Sequence, residues 1–287
     1  MSYNIIHNPN AFRSRNTINR LDALVGHLSD SNKPYHIFTT KQRGHATEIV
    51  DSLSKQGEST FIVSGGDGTL YEVLNGLSDD CLLGIIPAGT GNDVAKTLGL
   101  TPKSAIKCIA NDTKKAIDYG LINDELKFLS LVSFGIVTDI IKMLDSFKTH
   151  SKFNYFKSLL KRALAFKPKR YTVTINGTEQ TYLADYLSIH NCRYAGGGMS
   201  LCRPAKIDDG LLDLVIVEYK GTLRRIFNLI AIATNRLHTQ PNVTMTQVTD
   251  AQIIALADST CCLDGEIVNL NKLEVSVVTG KLEVYCP

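Results

Sequence analysis

The sequence predicts an α/β plus β chain: an N-terminal open α/β domain over residues 1–120, then a C-terminal β-sandwich domain over residues 121–287. Three observations carry this. Through the first 120 residues, apolar strand-like runs alternate with helical patterns, as in a parallel sheet covered by helices. Beyond that point the segments become short, β-rich and separated by turn residues. A length of 287 residues also suits two domains better than one core.

In chain order, the strand candidates of the first part are Tyr3–His7, Tyr35–Thr39, Ser59–Val63 and Leu82–Ile86. Helical segments lie between them, around Thr17–Leu28, Ala46–Leu53 and Thr69–Leu77. Ligands of open α/β sheets bind beyond the carboxyl ends of the strands. Asn8-Pro9, Thr40, Asp67 and Thr90 all follow predicted strands, so one crevice can gather them. Gly120 marks the boundary, after Ile117-Asp118-Tyr119. The second part offers strands at Tyr171–Ile175, Tyr182–His190, Leu211–Val217, Gln252–Ala257, Leu273–Val278 and Leu282–Tyr285. Ala195-Gly196-Gly197-Gly198 reads as a loop between strands, because three successive glycines cannot fill a core.

The chemistry concentrates in two glycine-rich turns, Gly65-Gly66-Asp67-Gly68-Thr69 and Gly89-Thr90-Gly91-Asn92-Asp93. Each follows an apolar run and opens a helix-compatible stretch. Such a junction presents backbone N–H groups and a positive dipole end, and it binds phosphate. With an aspartate in each turn, a polyphosphate held with a divalent cation is the expected ligand. A P-loop is excluded because Thr69, not lysine, follows Gly68. The dinucleotide fingerprint fails where Val94 replaces its third glycine.

Together these motifs resemble the diacylglycerol kinase catalytic domain family, which includes bacterial lipid kinases and sphingosine kinases. The resemblance rests on Gly65-Gly66-Asp67-Gly68-Thr69-Leu70 with Glu72, Asn75 and Gly76, and on Ile86-Pro87-Ala88-Gly89-Thr90-Gly91-Asn92-Asp93. It continues through Ala205-Lys206-Ile207-Asp208-Asp209-Gly210 and Leu263-Asp264-Gly265-Glu266, in the family's order along nearly the whole chain. It implies an ATP-binding α/β domain and a β-sandwich, with the active site between them. It also implies transfer of the γ-phosphoryl group of ATP to a lipid hydroxyl, that of diacylglycerol or a related lipid.

The resemblance assigns ATP contacts to Asn8, Pro9, Thr40, Gly66, Asp67, Gly68, Thr69, Leu70, Tyr71, Glu72 and Thr90. The sequence departs from the family in having Asn10-Ala11-Phe12-Arg13 where Ser-Gly-Lys usually follows Asn-Pro. Arg13 or Arg15 is placed to reach a phosphate, or simply to face solvent. A catalytic Mg²⁺ network is implied at Asp67, Asp93 and Asp118. Asp93 equally reads as a helix N-cap, and Asp118 as a turn aspartate before Gly120. A structural Mg²⁺ is implied at the Asp209 side chain and the carbonyls of Lys206 and Leu211; the residues alone give only a turn there. Asp264-Gly265-Glu266 reads by itself as a hairpin turn, and the resemblance places there the carboxylate that takes the acceptor hydroxyl's proton. Spacing does not choose between the two. Glu266 is assigned as the base and Asp264 as its metal or hydrogen-bonding partner.

Composition is that of an ordinary globular protein, 44% hydrophobic and 21% charged with a net charge of +3. No apolar run reaches the roughly eighteen residues of a membrane span, and the N-terminus does not read as a secretory signal. Seven cysteines without a C-x-x-C pair disfavour a disulfide framework or zinc site, which suits a reducing cytoplasm. Residues 142–170 carry nine basic side chains against the single acid Asp145, interleaved with apolar groups at helical spacing. Two readings stand there: a helix packing on the core, or a segment that docks the enzyme peripherally on an anionic membrane surface. Nucleic acid is the poorer partner for a lipid-directed protein, and a homodimer is left open. The rival functions are an NAD kinase-like phosphotransferase, which shares the Gly-Asp-Gly turn, and a catalytically silent lipid-binding regulator.

Overall fold

The computed structural model describes residues 2–11, 18–140, 161, 164–255 and 260–287. The expected contacts of Phe12–Arg15, most of the basic 142–170 segment and the end of the strand expected over Gln252–Ala257 lie outside these residues.

The first layer is a parallel sheet of β1 (Tyr3–His7), β2 (Tyr35–Thr39), β3 (Thr60–Gly65) and β4 (Leu82–Pro87), in the order β2-β1-β3-β4. All of β3 and β4 is buried, as the continuous apolar runs of a sheet covered on both faces require. The covering helices are α1 (Ile18–Asp30), α2 (His45–Lys55), α3 (Asp67–Gly76), α4 (Asp93–Thr97) and α5 (Pro102–Ala110). Each long one turns an apolar stripe inward, for example Leu24 and Leu28 of α1 or Val73 and Leu74 of α3. Thr101 closes α5 with a reciprocal capping box to Ser104. One expected boundary shifts, since α3 starts at Asp67 rather than at Thr69. The glycine turn winds directly into the helix.

The second part is antiparallel: β5 (Lys115–Ile122), β6 (Leu126–Phe128), β7 (Leu131–Gly135), β8 (Lys169–Ile175) and β9 (Thr178–His190). A short hairpin of β10 (Tyr194–Ala195) and β11 (Met199–Ser200) follows, with Gly196, Gly197 and Gly198 forming its loop as expected. Then come β12 (Leu212–Glu218), α6 (Thr222–Ala233), β13 (Val243–Val248), β14 (Asp250–Ala255), β15 (Thr260–Leu263), β16 (Glu266–Asn269) and β17 (Lys272–Val284). Phe128, Val132, Phe134, Tyr171, Leu187 and Leu273 fill its principal core, and Tyr186, Val215, Val217 and Leu237 a further one nearby. This is the β-sandwich-like domain that the sequence predicts.

Two expectations need correcting. Leu273–Val278 and Leu282–Tyr285 are not separate strands but one, β17, with a register shift between Val278 and Leu282. Gly280, at φ 61°, sits in that irregularity and reads in sequence as a break. The second concerns Gly120, which lies inside β5 rather than in a turn. A Cβ there would meet the Phe128 ring at 2.0 Å, so glycine makes room for a cross-strand aromatic. Through β17 the two parts share a sheet. The strand pairs antiparallel with β14 and β5, and parallel with β4 through Glu283–Leu82 and Val284–Leu83. All seven cysteines are buried.

Candidate active site

At the carboxyl ends of β1–β4 opens a cavity of about 880 Å³. Its lining includes Asn8, Thr40, Gly66, Asp67, Gly68, Thr69, Glu72, Thr90, Asp264 and Glu266, all singled out from the sequence. The two glycine turns meet at its base. A Cβ on Gly89 would stand 2.7 Å from Gly66 Cα, and one on Gly66 would stand 3.1 Å from Gly89 Cα. Only two glycines allow backbones to approach so closely.

The turns play different parts. At the start of α3 no side chain caps the helix, so its first amides stand where an anion can use them. Asn8 Nδ2 donates to Thr69 Oγ1 (2.8 Å) and ties the end of β1 to that turn. The second helix end is not free for phosphate, contrary to expectation. Asp67 takes it: Asn92 N–H donates to Asp67 Oδ2 (2.6 Å) and Asp93 N–H to Asp67 Oδ1 (2.8 Å). Asn92 itself pins the loop by accepting from Gly89 N–H (2.8 Å) and donating to the Gly89 carbonyl (2.7 Å).

Asp67 and Asp93 form a close pair. Burial first, and then the Asp93 charge, push the Asp67 carboxyl above its usual range, against the pull of the two amides. Asp93 accepts from Gly197 N–H (3.0 Å) through Oδ2, while its Oδ1 is buried without a partner. A carboxylate oxygen left bare beside a second carboxylate fits a divalent cation that completes its shell with phosphate and water. Among the described residues no cluster of three or more ligating side chains would hold a metal alone. Asp118 does not join the pair. Its carboxylate accepts from Gly210 N–H (2.7 Å) and Gly280 N–H (2.8 Å), which fastens the Asp209 loop to the bend of β17.

Asp264 and Glu266 also divide their roles. Asp264 sits at φ 48° in the β15–β16 turn and accepts three amides, from Leu129 (2.7 Å), Ser130 (2.8 Å) and Leu131 (2.9 Å). Burial nevertheless pushes its pKa up to about 6, with those three bonds opposing. Glu266 faces the cavity, where it pairs with Arg43. A Cβ on Gly68 would lie 3.2 Å from Glu266 Oε1, so this carboxylate overhangs the first turn. Glu72 is a positioning group: its oxygens accept from Gly44 (2.8 Å) and Ala46 (3.1 Å) at the start of α2.

Several expected contacts fall elsewhere. Leu70 is buried core and Tyr71 packs toward the sandwich, where burial raises its hydroxyl to about 12; the helical turn points both away from the cavity. Pro9 begins a 3₁₀ turn and is not in the lining. The residues of the implied structural ion were expected apart from this cavity and lie apart from it: Lys206 lines a separate cavity, and Asp209 Oδ1 accepts from Leu211 N–H (3.2 Å) within its own turn. The sequence reading missed Arg20, whose Nη1 donates to the Pro87 carbonyl (3.2 Å), and Lys41 and Arg43 in the loop after β2. The basic residues directly behind Thr40 were a usable signal; Arg20, inside a helix, offered none.

A second cavity, of about 320 Å³, opens beside the first and shares Asp67, Thr90, Asp264 and Gly265 with it. Leu70, Val94, Leu131, Val137, Leu201 and the glycine hairpin make its walls mainly apolar.

Residues 2–122 match the model of the diacylglycerol kinase catalytic domain, and residues 130–286 that of the YegS C-terminal NAD kinase beta sandwich-like domain. The chain belongs to the diacylglycerol kinase catalytic domain family. The "Probable lipid kinase YegS-like" of Enterobacter sp. (strain 638) is 30% identical over 280 residues, covering 92% of this chain and 90% of that one. Its namesake from Pseudomonas aeruginosa (strain UCBPP-PA14) is 31% identical over 278 residues, covering 92% and 89%. A crystal structure of a diacylglycerol kinase from Bacillus anthracis str. Sterne has the same fold, with a TM-score of 0.80 at 24% identity over 100% of this chain and 97% of that one. The family is thus one of lipid kinases, and no helix among the described residues is long and apolar enough to cross a membrane.

Proposed function

We propose that this chain is a lipid kinase that transfers the γ-phosphoryl group of ATP to the hydroxyl of a membrane lipid, with diacylglycerol as the acceptor and phosphatidic acid as the product. The observation that carries the reading is the junction of the two cavities. A polar chamber floored by glycine backbone meets an apolar one, and they share Asp67, Thr90, Asp264 and Gly265. A phosphate chain suits the first and an acyl chain the second.

The first amides of α3 cradle the phosphates, and Arg20, Lys41 and Arg43 balance their charge from the rim. Asp67 and Asp93 are the residues that would hold Mg²⁺, which when bound supplies neutralisation of phosphate charge. Glu266 takes the proton of the acceptor hydroxyl. Its pairing with Arg43 holds it over the first turn, and Asp264 fixes the hairpin that carries it by gathering three amides. The Asp209 turn remains the proposed seat of a structural Mg²⁺, the division of the chain at residue 120 is likewise a proposal, and the enzyme is placed in the cytoplasm. NAD is the poorer acceptor, because the second cavity offers its ribose little polar surface.

The deciding assay offers ATP and Mg²⁺ with diacylglycerol in mixed micelles, with NAD, or with neither acceptor. Phosphatidic acid as the product supports the reading. Phosphorylation of NAD overturns it in favour of the NAD kinase-like alternative, and no acceptor-dependent ADP would make the protein a silent binder.

A further inference from the structure

Helix α6 carries apolar residues all round: Ile226, Leu229 and Ile232 are partly buried, the last two packed on the core. Its buried face carries Arg225, Asn228 and Ala231, whereas Leu223, Phe227 and Ile230 are 69%, 50% and 54% exposed. The exposed three stand at i, i+4 and i+7, in one row on the outer face. Arg225 tolerates burial because Asp185 faces it. Nε and Nη2 both donate to Asp185 Oδ1 (3.0 and 2.7 Å), and Nη1 donates to the Phe166 carbonyl (2.8 Å). Two further exposed leucines, Leu164 and Leu183, lie on segments bonded to α6 or its lead-in. Of the exposed large apolar side chains among the described residues, only Ile37 lies elsewhere. A row of this kind marks an interaction surface rather than chance exposure.

Charge identifies the occupant. From Tyr219 to Thr249 the chain has no acidic residue, and besides the buried Arg225 and Lys220, which pairs with Glu218, it carries Arg224 and Arg236. Exposed Lys161, Lys167 and Arg170 lie on the neighbouring segment. A second copy of the chain would bring like charge against like, whereas an anionic bilayer offers acyl chains for the row and headgroups for the cations around it. The helix is also tied to a wall of the acceptor cavity. Asn235, just past its end, accepts from Ser200 N–H (2.9 Å) in the glycine hairpin, and that hairpin walls the apolar cavity.

We infer that α6 is the element by which this protein enters the membrane interface, with Leu223, Phe227 and Ile230 immersed among lipid acyl chains and the mouth of the acceptor cavity held at the bilayer surface. The inference rests on the lipid-kinase reading for its purpose, but its test does not. The chain contains no tryptophan, so Phe227→Trp supplies a single emitter on that face. Mixed with phosphatidylglycerol–phosphatidylcholine vesicles in the absence of ATP, its emission should shift to the blue and be quenched by lipids brominated on the acyl chain. Changing Leu223, Phe227 and Ile230 together to serine should weaken vesicle binding on the order of a hundredfold. Melting and turnover on a short-chain acceptor in solution should stay as in the parent.

Vesicle binding without a change in tryptophan emission would overturn the inference, as would parental vesicle affinity in the triple variant. So would a lipid-free blue shift that grows with protein concentration, the mark of a second copy. If the tryptophan inserts but no phosphoryl transfer to lipid is found, the kinase reading fails and the docking stands. If transfer proceeds in micelles while the triple variant binds vesicles like the parent, the docking alone fails.

Discussion

Removing the Asp67 carboxylate should cost both stability and turnover. Two backbone amides at the start of α4 depend on it, at 2.6 and 2.8 Å. A lost carboxylate cap of this kind costs about 1–2 kcal/mol, and the lost charge at a helix N-terminus adds about 0.3–1 kcal/mol. Against this, Asp67→Ala removes an acid whose ionisation is already disfavoured by burial and by Asp93. The balance is about 1–2 kcal/mol, which for a chain of this size lowers the melting temperature by about 2–6 °C. Asp67→Asn keeps one acceptor and should lose about half as much. Both variants should lose ATP turnover, because neither leaves a carboxylate beside the bare Asp93 oxygen. Differential scanning calorimetry and ADP release measured on the same preparations decide the matter. An Asp67→Ala protein that melts like the parent would refute the claim that this side chain holds α4. One that turns over normally would refute its place at the phosphates.

Glu266→Gln should leave nucleotide affinity nearly intact and cut turnover by ~10² or more, whereas Asp264→Asn should also lower the melting temperature because three amides lose their anionic acceptor; equal stability of the two variants would remove that distinction. Gly89→Ala should destabilise by about 1–3 kcal/mol and impair ATP binding, since the new Cβ meets backbone that cannot yield; unimpaired binding would separate the two turns functionally. His190 is fully buried, and burial lowers its pKa from 6.5 to about 3, so the unfolded chain takes up the proton first as pH falls below 6.5. Stability from this group is therefore present above pH 6.5 and lost on acidification, by about 2 kcal/mol between about pH 6.5 and 5, which urea midpoints of the parent and His190→Gln should reveal as a difference in slope. Mg²⁺ should raise the parent's melting temperature relative to chelator but not that of Asp209→Ala; an identical response in both would remove the structural ion from that turn.

Local signals made the first layer legible. β1 and β2 match their expected spans at both ends, and β3 and β4 to within two residues, the buried runs of the latter two ending at Gly65 and Pro87. The glycine turns were legible for the same reason: spacing along the chain sets their geometry. What the sequence hid are relations between distant residues. Arg43 and Glu266 meet across the interface of the two parts, and nothing near either announces the other. The partners of Asp118, the amides of Gly210 and Gly280, are likewise invisible until the sheet closes. α6 escaped notice because apolar residues run round the helix, so its periodicity does not tell which of them pack on the core and which are exposed.

The shared strand β17 governs how the polypeptide acquires its shape. Leu282, Val284 and Tyr285 are fully part of the core beneath β1, β3 and β4, although some two hundred residues separate Leu82 from its partner Glu283. As the ribosome releases the chain, the parallel layer emerges early, yet its β4 edge stays bare until residues 283–285 arrive. Contacts of such long sequence separation are slow to form, and a waiting parallel edge invites strand pairing with other chains. A fragment covering residues 2–122 would hold every glycine of the two turns and still lack the strand that closes its sheet.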